Sequence, residues 1–228
     1  MCRQVQQQHP IIYLITSGAT NAQTTPASEE FGDLLKLVAA AISAHVSLIQ
    51  LREKNLTARV LYELTTRAAE LTRGTDTRLL VNDRADIART AGADGVHLRT
   101  SSLNAKIIRT CFGSDFMIGV STHSAEEARA ARDASADFVV WGPVFPTEST
   151  KTYKEAQGLT KLATVVSELA PFPVIALGGI GLDNVAECVA AGARGIAGIG
   201  IFKDRDLLTE TAERIREIFK NNEWSPRI

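Results

Sequence analysis

Eight short runs built almost entirely from Val, Ile, Leu and other apolar residues recur along this chain, each followed by a stretch with helical periodicity. The runs are Ile11 to Ile15, Val46 to Leu51, Arg78 to Val81, Gly95 to Leu98, Met117 to Val120, Phe138 to Trp141, Val174 to Leu177 and Gly195 to Ile199. The intervening stretches place apolar residues three and four apart: Phe31 to Ala44, Ala58 to Thr72, Arg84 to Ala91, Leu103 to Cys111, Ala125 to Ala134, Leu159 to Leu169, Asn184 to Ala191 and Leu208 to Phe219. A strand that is apolar at nearly every position must be covered on both faces, which a parallel sheet with crossover helices provides. Eight such units in succession predict one α/β domain, a (β/α)8 TIM barrel over residues 1–228, with a polar extension over 1–10 and a tail over 221–228.

Local signals agree with that division. Thr57 precedes one helical stretch, Ser124 stands three residues before Glu127 in a capping-box arrangement, and Asp183 precedes Asn184, all as N-terminal caps. Gly74, Gly92, Gly113 and Gly192 stand where helices should stop. The one irregular segment, Ser17 to Glu30, reads as a mobile cover or as disordered.

At 228 residues and 45% apolar content, the chain can bury one sizeable core. A net charge of -1 supplies no global basic field, so nucleic acid and anionic membrane are not expected partners, and any cation must act locally. No run reaches the length of a membrane span, and the polar first ten residues lack the charged-then-apolar pattern of a secretory leader. The three cysteines, Cys2, Cys111 and Cys188, form no metal or redox motif and read as free thiols. Together these features predict a cytoplasmic protein. Barrels of this size often pair, which leaves a homodimer open.

In a barrel, residues just after each strand converge on one rim, where the chemistry sits. Those positions hold Gln50, Arg52 and Lys54 after the second run, Asn82 and Asp83 after the third, His97 and Arg99 after the fourth, and Ser121 and His123 after the fifth. Thr147, Ser149, Thr150 and Lys151 follow the sixth, Gly178 and Gly179 the seventh, Gly198 and Gly200 the eighth. The rim is thus cationic and hydroxylic, with one carboxylate. Gly178-Gly179-Ile180 and the glycine-rich end of the eighth run suit a phosphate held by backbone N–H groups, although a tight turn alone would also ask for glycine. Arg52 and Lys54, two apart, can point the same way toward an anion, or stand as solvated cations beside Glu53. Asp83 suits Mg²⁺ held against substrate phosphates, and equally a helix cap for Arg84 onward.

His97 closes an apolar run, where a histidine is more often packed than basic. No nucleophile with a partnered base, zinc motif or P-loop string is present. Anion clamps with a metal fit departure of a phosphate or diphosphate, a reaction driven by positioning and charge neutralisation.

The strings Gln50-Leu51-Arg52-Glu53-Lys54, Val81-Asn82-Asp83, Gly95-Val96-His97-Leu98, Gly119-Val120-Ser121-Thr122-His123, Gly142-Pro143-Val144-Phe145-Pro146-Thr147 and Leu177-Gly178-Gly179-Ile180, in this order, resemble the thiamine phosphate synthase family from about Ile11 to Phe202. The resemblance implies coupling of 4-amino-2-methyl-5-hydroxymethylpyrimidine diphosphate to 4-methyl-5-(2-phosphoethyl)thiazole, with diphosphate leaving first and the thiazole nitrogen capturing the pyrimidine carbocation. It implies small phosphorylated substrates, Mg²⁺ as cofactor, and roles by matching motif. Gln50, Arg52, Lys54 and Asn82 would bind the pyrimidine diphosphate, Asp83 would hold the metal, and Ser121 would hydrogen-bond the diphosphate. Thr147, Ser149, Gly179, Ile199 and Gly200 would form the thiazole-phosphate pocket. Arg52, Lys54 and Ser121 are the catalytic candidates, and His97, Lys151 and Gly178 join the substrate-binding set.

The chain departs from the family pattern twice. Where the family reads Gly-Gln-x-Asp with a second metal ligand, this chain reads Arg99-Thr100-Ser101-Ser102. After the sixth run, Thr147-Glu148-Ser149 is followed by Thr150, which displaces Lys151 by one. The departures keep two alternatives open. One is a metal-free thiazole tautomerase of the same superfamily, which would carry a histidine where this chain has Pro143. The other is a non-catalytic barrel that binds thiazole phosphate or thiamine phosphate.

Overall fold

A computed structural model of the chain describes residues 9–147 and 155–222. Eight parallel strands close into a barrel in chain order, β1 (Ile11–Ile15), β2 (Leu48–Leu51), β3 (Arg78–Asn82), β4 (Gly95–Leu98), β5 (Met117–Thr122), β6 (Phe138–Trp141), β7 (Val174–Leu177) and β8 (Gly195–Gly198). Closure comes from β1 pairing with β8, Ile12 beside Ile196 and Tyr13 beside Ala197. The helices are α1 (Glu29–Ser43), α2 (Ala58–Thr72), α3 (Ala85–Thr90), α4 (Ala105–Phe112), α5 (Ala125–Asp133), α6 (Gly158–Leu169), α7 (Val185–Ala190) and α8 (Leu208–Asn221), with a 3₁₀ turn at Gly200–Phe202.

Strand parity divides the buried side chains into two shells. One lies between sheet and helices and includes Ile12, Leu14, Ile49, Leu51, Leu79, Val81, Val96 and Ile118. The other fills the barrel itself with Ile11, Tyr13, Ile15, Leu48, Leu80, Phe138, Val140, Ile175 and Ala197. The outer shell is where the eight helices find their apolar stripes, and the inner shell ends upward in polar groups, Gln50 and His97, both buried. The barrel is therefore a packed plug with a polar cap under its mouth.

The expected caps at Thr57 and Ser124 are present: Thr57 accepts from the Val60 N–H and Ser124 from the Glu127 N–H. Glu127 in turn accepts from the His123 N–H, one residue before the cap. Two expected caps are corrected. Helix α7 begins after Asn184 rather than Asp183, and the Asn184 side chain bonds the Gly181 N–H and the Gly179 carbonyl rather than the helix. Asp83 does not cap α3; it lies before the boundary residue Arg84, at φ +63°, with its carboxylate turned to Arg99.

The segment beginning at Ser17, expected as a mobile cover or as disordered, is ordered by hydrogen bonds. Its last two residues, Glu29 and Glu30, already form the first turn of α1. Its start is tied to Glu53, whose buried carboxylate accepts from the Thr16 hydroxyl, the Gly18 N–H and both the N–H and hydroxyl of Thr20. Further turns are closed by Asn21 with Thr24 and by Thr25 with Ser28. A buried carboxylate is held in a fold only when its lone pairs are filled, and here the loop fills them.

No helix among the described residues is long and apolar enough to cross a membrane.

Candidate active site

The mouth is built from two unlike sectors. The first is made by the ends of β2, β3 and β4. Lys54, Asn82, Asp83 and Arg99 line one open cleft of about 250 Å³. Arg99 donates to the Asp83 carboxylate at 2.7 Å. Ser102 Oγ accepts from the Arg99 N–H at 2.8 Å and its hydroxyl lies close enough to Asp83 to favour the charged carboxylate. Partial burial pushes the Asp83 carboxyl up, but the bonds from Ser102 and Arg99 and the charges of Arg99 and Arg84 outweigh it and hold it below its usual range. Lys54 is held below its usual range by partial burial, then by repulsion from Arg52 and Arg99, with Asp83 acting the other way. Lys54, Arg84 and Arg99 share the cleft with Asp83 and with Glu53, whose carboxylate is already taken up by the β1–α1 loop, so positive charge is in excess there and suits an anion.

Arg52 is positioned through its backbone, whose N–H donates to Thr16 at 2.8 Å. Its guanidinium lies against Gly18: a Cβ on that residue would sit 3.6 Å from Nη1 and 3.2 Å from the Arg52 carbonyl. Glu53, between the two cations in sequence, borders the cleft and holds the β1–α1 loop through Thr16, Gly18 and Thr20.

Beneath this sector a chain of side chains crosses the barrel. Gln50 Nε2 lies 2.8 Å from the Tyr13 hydroxyl, which lies 3.0 Å from His97 Nδ1. His97 Nε2 lies 2.8 Å from Ser121 Oγ, half-buried at the rim. The ring of His97 packs against Tyr13 and Phe138, centroids 5.7 Å and 6.2 Å away. Burial pushes the imidazole down to about 3, which leaves it neutral at ordinary pH, and burial pushes the Tyr13 phenol well above its usual range.

The second sector is backbone. Gly178 and Gly179, after β7, adopt φ +101° and +65°. A Cβ on Gly178 would lie 2.6 Å from Pro143, and one on Gly179 2.6 Å from the Pro146 carbonyl and 2.7 Å from Phe145. The β6 loop rests on this turn through the Val144 and Phe145 N–H groups, bonded to the Leu177 and Gly178 carbonyls. Strand β7 pairs with β8 up to Leu177 beside Ala197, which brings Ile199 and Gly200 next to the Gly178-Gly179 turn. In the closed order β3 stands opposite β7, so the charged sector and the glycine sector face one another across the mouth.

The sequence profile of a family described as thiamine monophosphate synthase matches residues 13–202. The chain belongs to that family. A thiamine-phosphate synthase of Haloarcula marismortui is 39% identical over 207 residues, covering 90% of this chain and 94% of its own. A protein of Geobacter sulfurreducens is 47% identical over 165 residues, 72% of this chain and 77% of its own. Among solved structures, the thiamine phosphate pyrophosphorylase of Pyrococcus furiosus superposes with a TM-score of 0.78 at 29% identity, covering 95% of this chain and 98% of that one.

Within this thiamine monophosphate synthase fold, the expected rim residues divide by location. Lys54, Asn82 and Asp83 meet in one cleft, with Arg52 close enough to act on Lys54. Gln50 and His97 lie below the mouth; both are 2% exposed, and both His97 nitrogens are engaged by protein. His97, expected among the substrate-binding residues, bonds Tyr13 on one side and Ser121 on the other. Gly178, Gly179, Ile199 and Gly200 form the opposite sector, and Thr147 lies in the loop that follows β6. Ser149 and Lys151 lie outside the described residues.

Two contributors were missed in the sequence. Tyr13 stands inside an apolar run with no motif of its own, and only its parity with Ile11 and Ile15 marks it as inward-facing. Glu53 was read as a neighbour of surface cations, and nothing local marks its burial, since its partners come from the preceding βα loop.

Of the two carboxylates lining the cleft, Glu53 is taken up by Thr16, Gly18 and Thr20, which leaves Asp83 as the one turned to the other cleft groups, and among the described residues no group of three His, Cys, Asp or Glu could enclose an ion. Mg²⁺ does not need such a cage: it keeps waters and takes one or two carboxylates beside substrate phosphates. Asp83 meets that minimum. Ser102 stands where a second carboxylate would complete it, and Arg99 already occupies Asp83, so the donor set fits a weakly held ion.

Proposed function

We propose that the protein is a thiamine phosphate synthase, coupling 4-amino-2-methyl-5-hydroxymethylpyrimidine diphosphate to 4-methyl-5-(2-phosphoethyl)thiazole to give thiamine phosphate and diphosphate. The observation that carries the reading is the mouth itself. A cluster of cations on β2 to β4 faces a glycine turn on β7 and β8, two anion-suited places on opposite sides of one opening. Family membership over most of the chain supports the same reading, and neither the tautomerase nor the non-catalytic alternative is favoured by the relatives.

In this reading Arg52, Lys54 and Arg99 neutralise the diphosphate as the methylene carbon–oxygen bond breaks and the electron pair leaves with oxygen. Charge stabilisation at the departing group is the largest available contribution when no base is required. Ser121 donates a hydrogen bond to the same group, and Asn82 presents an amide beside it. Asp83 would hold Mg²⁺, which when bound supplies further neutralisation of the diphosphate. The thiazole phosphate sits against Gly178, Gly179, Ile199 and Gly200, with Thr147 and, beyond the described residues, Ser149 and Lys151 as further contacts. That placement aims the thiazole nitrogen at the pyrimidine methylene, where its lone pair forms the new carbon–nitrogen bond. Neutral His97 takes no proton in this sequence of events.

The test is direct. Purified protein supplied with both substrates and Mg²⁺ should release thiamine phosphate and diphosphate in equal amounts, read by fluorescence after oxidation of the product and by a diphosphate assay. No product across a wide range of Mg²⁺ concentrations overturns the reading.

A further inference from the structure

The chain of side chains beneath Ser121 has a direction, because its donors and acceptors can be counted. Gln50 Nε2 donates to the Tyr13 hydroxyl oxygen at 2.8 Å. The same hydroxyl lies 3.0 Å from His97 Nδ1, and His97 Nε2 lies 2.8 Å from Ser121 Oγ. A phenol has one proton to give. Gln50 and His97 are the two partners of this buried hydroxyl, and with Gln50 donating to its oxygen the phenol proton is satisfied only by Nδ1, which makes Nδ1 the acceptor and places the single ring proton on Nε2. Nε2–H then donates to the Ser121 oxygen. The serine proton is left over from the chain and is available above it.

The same order follows from the other end. A serine that faces an anion must donate to it, so its oxygen must take its internal hydrogen bond from Nε2–H. The reversed chain, with Ser121 donating to Nε2 and Nδ1–H donating to Tyr13, would present only lone pairs to a phosphate oxygen and repel it.

We infer that Tyr13, backed by Gln50, is a positioning residue that fixes the His97 tautomer and thereby makes Ser121 a hydrogen-bond donor to an anionic ligand at the mouth. The ligand half of this rests on the synthase reading; the tautomer half does not. The surroundings hold the ring where the relay needs it. Tyr13 is fully buried and meets Phe138 edge-on at 5.8 Å between centroids. Residue 119 must be glycine for the ring to fit: a Cβ there would lie 2.9 Å from His97 Nδ1 and 2.6 Å from Phe138 Cε2. The imidazole is therefore closely packed in the orientation that bonds Tyr13 and Ser121, and its protonated nitrogen is set by which neighbour donates.

The experiment uses the whole protein labelled with ¹⁵N at histidine. Long-range ¹H–¹⁵N correlation spectra distinguish the two neutral tautomers, and the His97 signals are assigned by their loss in His97→Gln. The wild type should show Nε2–H with Nδ1 bare, and Ser121→Ala should keep that pattern because Tyr13 still dictates it. Tyr13→Phe, which retains the ring and its packing, should shift His97 to the other tautomer or to a mixture. Its kcat should fall by about tenfold, the effect of misdirecting one hydrogen bond, with KM for the thiazole phosphate unchanged. A wild-type His97 protonated at Nδ1, or a Tyr13→Phe spectrum identical to wild type, overturns the inference. Should no synthase activity be found in any form, the spectra still decide the tautomer and the failure falls on the functional reading alone.

Discussion

The two sectors of the mouth solve the problem of holding an anion in opposite ways. On β2 to β4 the holding groups are partly solvated side chains: Arg99 is paired with Asp83, and Lys54 stands within reach of both charges. On β7 and β8 it is the backbone, shaped by a pair of glycines that the β6 loop packs against too closely for any Cβ. Charge can be moved between neighbouring side chains without disturbing the barrel, whereas a turn that doubles as a packing surface cannot change without disturbing it. The charged sector should therefore govern affinity and the glycine sector stability.

The largest expected effect lies in the glycine sector. Gly178→Ala places a methyl 2.6 Å from Pro143 at φ +101°, combining backbone strain with overpacking. Together these cost about 3 kcal/mol, which for a chain of this size lowers Tm by about 6 to 12 °C. Gly200→Ala is the control in the same sector: its Cβ meets nothing within 4 Å, and the loss should stay under about 1 kcal/mol. Thermal unfolding of the two variants side by side breaks the comparison if Gly178→Ala proves as mild as its partner.

The barrel was legible because its determinants are local. Strands β1, β4, β6 and β7 and helix α2 begin and end at the expected residues, since wholly apolar runs and helical spacing are properties of a few neighbours. The rim followed from position alone: once a run is a barrel strand, what comes after it faces the mouth. The direction of each side chain was not legible in the same way. Glu53 is buried because Thr16, Gly18 and Thr20, more than thirty residues earlier, close over it. Tyr13 reaches His97, and through it Ser121, only because closure brings β1 within side-chain reach of β4 across the barrel interior. Asp83 could be read as metal ligand or cap, and its positive φ, which decides against the cap, depends on the chain turning to pair its N–H with the His97 carbonyl.

A middling effect tests the charged sector as an affinity device. Ser102 bonds the Arg99 backbone and stands beside Asp83, so Ser102→Asp sets a second carboxylate near the first and gives Mg²⁺ the pair that it binds well. The Mg²⁺ concentration for half-maximal turnover should drop by about tenfold, equivalent to about 1.4 kcal/mol, with Tm hardly changed. An unchanged Mg²⁺ requirement would show that Asp83 is not where the ion acts, and a large loss of Tm would show that this sector also carries stability.

The smallest effect concerns the ion pair between Asp83 and Arg99, whose side chains are 30% and 47% exposed. Solvent screening at that exposure limits such a pair to under about 1 kcal/mol, so Arg99→Ala should barely lower stability at neutral pH while raising KM for the pyrimidine diphosphate. The pH dependence has a definite sign. The folded state holds the Asp83 carboxyl below its ordinary value of 3.8, so the pair contributes fully above that value and its contribution is lost as pH falls through the depressed one. The stability gap between wild type and Arg99→Ala, measured by urea unfolding at successively lower pH, should stay constant from neutrality down to about pH 5 and close below about pH 4. A gap that widens on acidification would mean that Arg99 stabilises the fold through contacts other than Asp83. The charged sector would then be structural after all, and the division of labour between the two sides of the mouth would fail.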